Sequence, residues 1–310
     1  MALTLGEAQS INQNLLHKGI VEEMINESPL VKRLPFVTVT GNAIQINRED
    51  ASNTGSVGFK AVGDVIPESS AQFTPVTASL TTLIGDCDVP NLVQQSMSNV
   101  NDMMAAQVKI KSKLMANAYE TACIYGDDSN TNEFDGLHNL IDATNMAVHM
   151  GSSSTGAALT LRKLDELMDK IRGGKPDMLL VNRTVRRNLS AYLRTVGSYM
   201  TERDKYGDLW LFWQDVPIVV SDFITQTETI SSGAYSAKTG GATTSIFAIR
   251  FGEGDGLCGI QNGGMQTEFW ERLEEKDAQR TRIKWYCGLA LYSTKAVARL
   301  DGITDATVTA

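Results

Sequence analysis

Apolar residues recur every three or four positions between Val100 and Ala122: Val100, Met104, Ile110, Leu114, Ala118 and Ala122, widened by Met103, Val108 and Met115. This period predicts one helix over residues 98–125. Ser96, Ser98 and Asn99 can cap its first turn, and Gly126 is a natural stop. At ~1.5 Å per residue the helix is ~40 Å long, more than a small domain needs. A polar loop, residues 126–137, closes it.

On the N-terminal side, Leu5, Ala8, Ile11 and Leu15, then Ile20, Met24 and Ile25, form an amphipathic arm that ends at Ser28-Pro29. Residues 36–40 and 43–47 read as two strands around Gly41-Asn42. Residues 48–82 hold few large apolar side chains. Their second half alternates, with Val76, Ala78, Leu80 and Thr82 on one face and Thr77, Ser79 and Thr81 on the other. Their first half is small and Gly-rich, with only Val57, Phe59 and Val62 to pack. The expectation is a two-stranded projection with a flexible tip. Such a ribbon is marginal alone and needs a surface to lie on, here expected on a neighbouring subunit.

After the connector at 151–156 a second unit opens. Leu161, Leu164, Leu167, Met168 and Ile171 form a helix face stopped by Gly173-Gly174. Residues 178–181 are a buried strand, and Asn182 caps a helix carrying Val185, Leu189, Tyr192, Leu193 and Val196. Residues 209–213, 216–221 and 245–251 read as further strands, with a Thr/Ser/Gly-rich loop at 225–244. Helices around a sheet, with both elements mixed along the chain, give an α+β class. Late strands at 266–271, 280–292 and 296–300 are expected to return to the sheet beside the long helix.

Composition narrows the function by exclusion. The chain has 310 residues, with 42% hydrophobic and 21% charged, and the net charge of −8 argues against a surface built to grip nucleic acid, although a local basic patch could still touch a polyanion. Cys87, Cys123, Cys258 and Cys287 are scattered without a Cys-x-x-Cys pair, so reduced, partly buried thiols are expected. No signal peptide and no ~20-residue apolar span is evident, so the chain reads as soluble and made in a cytoplasm.

Enzyme motifs fail one by one. His17, His138 and His149 lack metal-site spacing, and no Gly-x-Ser-x-Gly elbow occurs. Lys238-Thr239 lacks the glycines that would cradle a phosphate, and the glycines at 252–256 precede no helix. Asp128-x-Asn130-x-Asn132 imitates the start of a calcium loop, but Glu133 and Asn139 stand where Gly and Glu are required, which leaves an Asx-turn connector. The acidic run 268–277, interleaved with Arg272, Lys276, Arg280 and Arg282, reads as a solvated or intersubunit salt-bridged face. The aromatic groups Trp210/Phe212/Trp213 and Phe269/Trp270 read as core or interface. No catalytic, cofactor-binding or metal-binding residue is assigned, and no enzyme is expected.

In order and spacing, the weak motifs together resemble tailed-phage major capsid proteins of the Hong Kong 97 type, over nearly the whole chain. They are Pro67-Glu68-Ser69 and Phe73 in the ribbon; Gly126-Asp127 and Gly136-Leu137 around the polar insert; Lys175-Pro-Asp-Met-Leu-Leu-Val-Asn182; Asp215-Val-Pro-Ile-Val-Val-Ser221; Gly288-Leu-Ala-Leu-Tyr292; and 296–302. The resemblance implies that fold: an N-terminal arm (1–35), strands and extended loop (36–83), a peripheral domain with the spine helix (84–157), an axial domain with a central sheet flanked by helices (158–265), and return strands to the peripheral domain (266–310). It implies pentamers and hexamers of this chain in an icosahedral shell around double-stranded DNA, held without sequence-specific binding. The location is the virion, with assembly in the host cytoplasm and no membrane partner. Val57, Phe59, Lys60, Pro67, Glu68 and Phe73 of the extended loop are the expected intersubunit contacts.

Two departures from the family pattern add expectations. Where some members join subunits through an isopeptide bond between Lys and Asn beside a Glu, this sequence aligns Ile66, Gln279 and Tyr286, so no covalent cross-linking is expected. No long scaffolding segment precedes the arm, so a separate scaffolding protein, or prior removal of such a segment, is expected, beside a portal and a candidate decoration protein. The alternative on the same fold is an encapsulin-type nanocompartment enclosing a cargo enzyme.

Overall fold

The computed structural model describes residues 29–49, 59–65, 73–97, 103–129, 132–141, 145–151, 155–197, 201–203, 209–231, 234–237, 239–271 and 273–309. The N-terminal arm before residue 29 therefore lies outside the described residues. The chain runs α1 (Pro29–Arg33), β1 (Phe36–Thr38), β2 (Ala43–Glu49), β3 (Phe73–Ser79), β4 (Thr81–Pro90), α2 (Asn91–Met97), α3 (Met103–Tyr125) and α4 (Leu137–Leu140). It continues through β5 (Ala147–His149), α5 (Leu161–Lys170), β6 (Met178–Val181), α6 (Arg183–Val196), β7 (Thr201–Arg203), β8 (Leu209–Trp213) and β9 (Val216–Val220). The last elements are β10 (Thr229–Ser231), β11 (Ala234–Ala237), β12 (Thr243–Ile249), β13 (Leu257–Trp270), β14 (Ala278–Leu291) and β15 (Val297–Thr304).

Two larger sheets organise these elements. The first has the order β1-β13-β14-β4, and the second has the order β5-β15-β12-β6-β9-β8-β7. β14 alternates strictly: Ile283, Trp285 and Cys287 are buried, whereas Arg280, Arg282 and Lys284 face outward. The long helix α3 lies on the buried side. Tyr119 stacks 4.7 Å from the Trp285 ring and its hydroxyl donates to the Gly288 carbonyl at 2.9 Å. Phe36 and Phe134 complete that aromatic group around Tyr119, at 5.9 and 5.5 Å. Aromatic pairs at this spacing add to the area term that buries them.

The buried line on α3 differs from the expected one. Met115, Tyr119 and Cys123 face the first sheet, while Glu120 and Ile124 are also buried. Leu114 is 43% exposed and Ala118 is exposed, and Val100 lies outside the described residues. The helix is wedged on two flanks at its C-terminal half, so a single apolar stripe does not describe it. Residues 98–102, where its start was expected, also lie outside the described residues.

The second sheet is mixed, with β6 parallel to β9 and antiparallel to β12. Its centre is fully apolar: Met178 to Val181 and Ile246 to Ile249 are all buried. Thr160 caps α5 by accepting from the Lys163 amide, and Asn182 caps α6 by accepting from the Thr184 amide at 3.0 Å. α6 ends on Gly197 in the left-handed region, φ 77°.

The return of the C-terminal strands differs from the expectation. β14 joins the sheet beside α3, but β15 does not. It pairs antiparallel with β12 and parallel with β5, inside the second sheet. The first sheet also begins earlier than residue 266, because β13 starts at Leu257 and pairs with β14 from its first residue. Residues 229–237, read as loop, contain the β10-β11 hairpin.

Candidate assembly interface

The ribbon starts from β2 and β3, which pair in register from Ala43↔Ser79 to Glu49↔Phe73. Its root is anchored. Ile46 is buried in a small core with Val39, Cys258, Ile260 and Ala290, and Ile44, Ala78 and Leu80 pack against it. Arg48 donates to the Tyr292 carbonyl at 3.1 Å and to the Leu291 carbonyl, and burial lowers its pKa. An apolar period of two on one side and a guanidinium fork at the end of it fix where the ribbon leaves the body.

Farther out, apolar side chains stand in solvent. Phe73, opposite Glu49, is 64% exposed. Residues 61–64 form a turn in which the Asp64 amide donates to the Ala61 carbonyl at 3.2 Å and the Ala61 amide donates to the Asp64 carboxylate at 3.1 Å. Gly63 sits there at φ 95°. Around this turn Phe59 and Val62 are as exposed as in an isolated peptide, Val65 is 85% exposed, and Lys60 is exposed beside Phe59. Full burial of such side chains is worth ~1.5–3 kcal/mol each. Of the six expected contact residues, Phe59, Lys60 and Phe73 are thus on the exposed ribbon, and Val57, Pro67 and Glu68 lie outside the described residues.

A second surface lies on the outward face of the first sheet. Arg280 grips Asp88 through two bonds of 2.6 and 2.8 Å, and Arg282 grips Asp86 at 2.7 and 2.9 Å. These paired bonds hold both carboxyls below the usual carboxylate range. Arg282 also lies 5.1 Å over the Trp270 ring, and Lys284 pairs with Glu268. The expected salt-bridged face at 268–282 is therefore built largely within the chain, on β4 carboxylates. β1 pairs with β13 only at Gly259 to Gln261, so among the described residues the outer edge of 265–270 carries no strand. Met265, Phe269 and Trp270 are 43%, 53% and 36% exposed along that edge. An open edge with apolar side chains is a template for pairing with another chain.

Between the two sheets runs a buried polar chain that the sequence reading did not find. Glu228 accepts from the Tyr125 hydroxyl at 2.6 Å and from the Ser245 hydroxyl, and its carboxylate lies 3.3 Å from His138 Nε2. On the other side of the ring, Arg299 Nη1 lies 3.0 Å from His138 Nδ1. Arg299 Nη2 is 3.3 Å from Asp301, which is 2.6 Å from His149 Nδ1. A guanidinium only donates, so Nδ1 accepts and the proton sits on Nε2, toward Glu228. His138 is stacked 4.9 Å from the Tyr125 ring, and burial lowers its pKa. Tyr125 is pushed up by burial and by Glu228. Nearby, Ser221 donates to Glu120 at 2.6 Å. The chain joins the end of α3 and α4 to β12 and β15, and nearly all of it is sealed from water. That suits a structural clamp, and a reaction would need access it does not have. The signal for it was partial: Arg299 and Asp301 share one side of an otherwise apolar strand.

All four cysteines are free and buried, and burial pushes the Cys287 thiol up to about 12. Such thiols are poor nucleophiles.

Comparison with known proteins places this architecture. The family model described as SU10 major capsid protein matches residues 8–252. No curated protein matches the chain. Among solved structures, the holo-SrpI encapsulin complex from Synechococcus elongatus PCC 7942 is similar at a TM-score of 0.75 and 19% identity, covering 100% of this chain and 99% of that one. The capsid of the native GTA particle is similar at 0.62 and 13%, covering 97% and 100%. A structure of Microbacterium phage Oxtober96 is similar at 0.61 and 13%, covering 98% and 99%. At these identities the likeness is one of fold.

Proposed function

The chain belongs to the SU10 major capsid protein family, and from that we propose that it builds an icosahedral shell of the Hong Kong 97 type from pentamers and hexamers around double-stranded DNA. It is a structural protein of phage-type capsids. The observation that carries the finer reading is the ribbon: an anchored root and a projecting turn with Phe59, Val62 and Val65 in solvent. Apolar side chains held outward on a fixed stem are explained by a neighbouring copy that covers them. The arm (1–35), extended loop (36–83), peripheral (84–157) and axial (158–265) divisions follow from the same reading, with β15 assigned to the axial sheet. Electron microscopy and sedimentation of the purified chain test it: closed shells of megadalton size are expected, and a monomer or small oligomer under all assembly conditions overturns it.

The shell is held non-covalently in this reading. Gln279 and Tyr286, aligned with the cross-linking Asn and Glu of some members, lie in β14 opposite Val89 and Thr82 and carry neither chemistry. Ile66, aligned with the reactive Lys, lies outside the described residues. Multimers that survive boiling in detergent would count against it. A separate scaffolding protein, a portal and a decoration protein are the partners this reading supplies; closed shells from this chain alone would remove the first.

The likeness to the SrpI encapsulin favours a second reading, a nanocompartment enclosing a protein cargo. The contents of purified particles separate the two: DNA with a portal at one vertex, or a second polypeptide.

A further inference from the structure

α6 is a basic helix in an acidic protein. Its fourteen residues include Arg183, Arg186, Arg187 and Arg194 and no Asp or Glu, although the chain as a whole carries a net charge of −8. Val185, Leu189 and Leu193 bury the opposite side, so the spacing puts all four arginines on one solvent-facing stripe. From Arg183 to Arg194 the stripe is ~16 Å long. Two of its charges are met by carboxylates from neighbouring loops. Asp222 takes the Arg183 fork, and Asp305 accepts from Arg187 at 3.1 Å and from Asn188 at 2.8 Å. Arg194 lies along the surface, donating to Ser190 at 2.9 Å. Two positive charges therefore remain in excess on the stripe.

We infer that the arginine stripe of α6 is the surface on which this shell protein touches the phosphate backbone of the nucleic acid it encloses. The inference rests on the DNA-filled shell proposed above and adds to it the residues that meet the cargo. Phosphates recur about every 3.4 Å along one strand, so the stripe lies along roughly five of them. Guanidinium forks match phosphate oxygens in pairs and read no base, which gives contact without sequence preference. Two uncompensated charges per subunit make each contact weak, and an otherwise acidic surface keeps the polymer from adhering elsewhere.

The test uses the full chain with short random-sequence duplex DNA over a salt series. Arg186→Ala with Arg194→Ala should lower the slope of log affinity against log salt by about two and weaken binding uniformly across sequences. Asp222→Asn with Asp305→Asn should do the opposite, tightening binding. Both pairs of positions are on the surface, and an unchanged melting temperature verifies the fold. An unchanged salt slope in both variants, or a preference for an acidic polypeptide over DNA, overturns the inference while leaving a DNA-filled shell standing. Particles that hold a protein cargo and no DNA overturn the shell reading and the inference with it.

Discussion

Arg299 donates to His138 from 3.0 Å, and this contact ties the last strand of the chain to the short helix that follows the long one. The same guanidinium lies 3.3 Å from Asp301, with both side chains 1% exposed. Arg299→Met removes the only cation named in that chain and leaves Glu228 and Asp301 buried beside each other's network. Breaking one partner of a buried pair costs ~3–5 kcal/mol. Urea unfolding should show a loss of that order. Arg299→Lys should recover little of it, because one ammonium lacks the fork that serves His138 and Asp301 together. Full recovery with Lys would reduce the contact to simple charge.

His138 sets a pH dependence with a definite sign. Burial lowers its pKa in the folded state, so the unfolded chain takes up the proton first. Stability is then fully present above the ordinary histidine pKa of about 6.5 and is lost as pH falls from there toward the folded value. Glu228, Arg299, Asp301 and Tyr125 surround the ring and keep its tautomer. Denaturation midpoints measured from pH 7 down to pH 5 should fall in the parent chain and fall less in His138→Gln. Asp86 and Asp88 titrate lower, because Arg282 and Arg280 hold them ionised; their contribution is present above about 3.8 and goes only in stronger acid.

Two glycines close the end of α3. The Gly136 amide donates to the Gly126 carbonyl at 2.9 Å, and the Asn139 side chain donates to the same oxygen at 3.1 Å. A Cβ on Gly136 would stand 2.6 Å from the Ala122 carbonyl oxygen, and one on Gly126 would stand 2.2 Å from the Phe134 oxygen. Both obstacles are backbone and cannot swing aside. Gly136→Ala should therefore cost ~1–3 kcal/mol. Gly85→Ala is the control, since its added carbon would meet only the flexible Met115 side chain at 3.5 Å. Calorimetry should separate the two by several degrees; equal melting temperatures would show that the turn gives way.

Local pattern carried much of the fold. The apolar runs at Met178 to Val181 and Val216 to Val220 read as buried strands because every residue in them is apolar, and they lie in the second sheet. The glycines around the polar insert were visible as a motif, although the backbone contact behind them was not. β13 was legible only from residue 266, because Gly259, Gly263 and Gly264 break its alternation, the last two at a bulge with φ near +70°. The sheet to which β15 belongs depends on pairing with β12 and β5, far away in sequence, and no local period encodes that choice. Glu228 was hidden for a different reason. It stands in a Thr/Ser/Gly-rich run, where a solvated loop is the natural reading, and only Tyr125, His138 and Ser245 from other elements make it a buried carboxylate.

The ribbon separates assembly from folding. Phe59 and Val62 stand in solvent within a chain whose cores lie elsewhere, at the ribbon root and between the two sheets. Phe59→Asp with Val62→Asp therefore removes no buried contact, and unfolding stability should stay within ~0.5 kcal/mol of the parent. In the shell, each apolar side chain that a neighbour covers contributes ~1.5–3 kcal/mol, and an ionised carboxylate under the same cover adds a desolvation cost. Repeated at every subunit, that difference is enough to stop closure. Sedimentation should show folded protein that no longer reaches megadalton size, with the parent's melting temperature. Shells of normal size and yield from this variant would place the intersubunit contact away from residues 59–65. The open edge of β13, with Met265, Phe269 and Trp270, would then be the surface to mutate next.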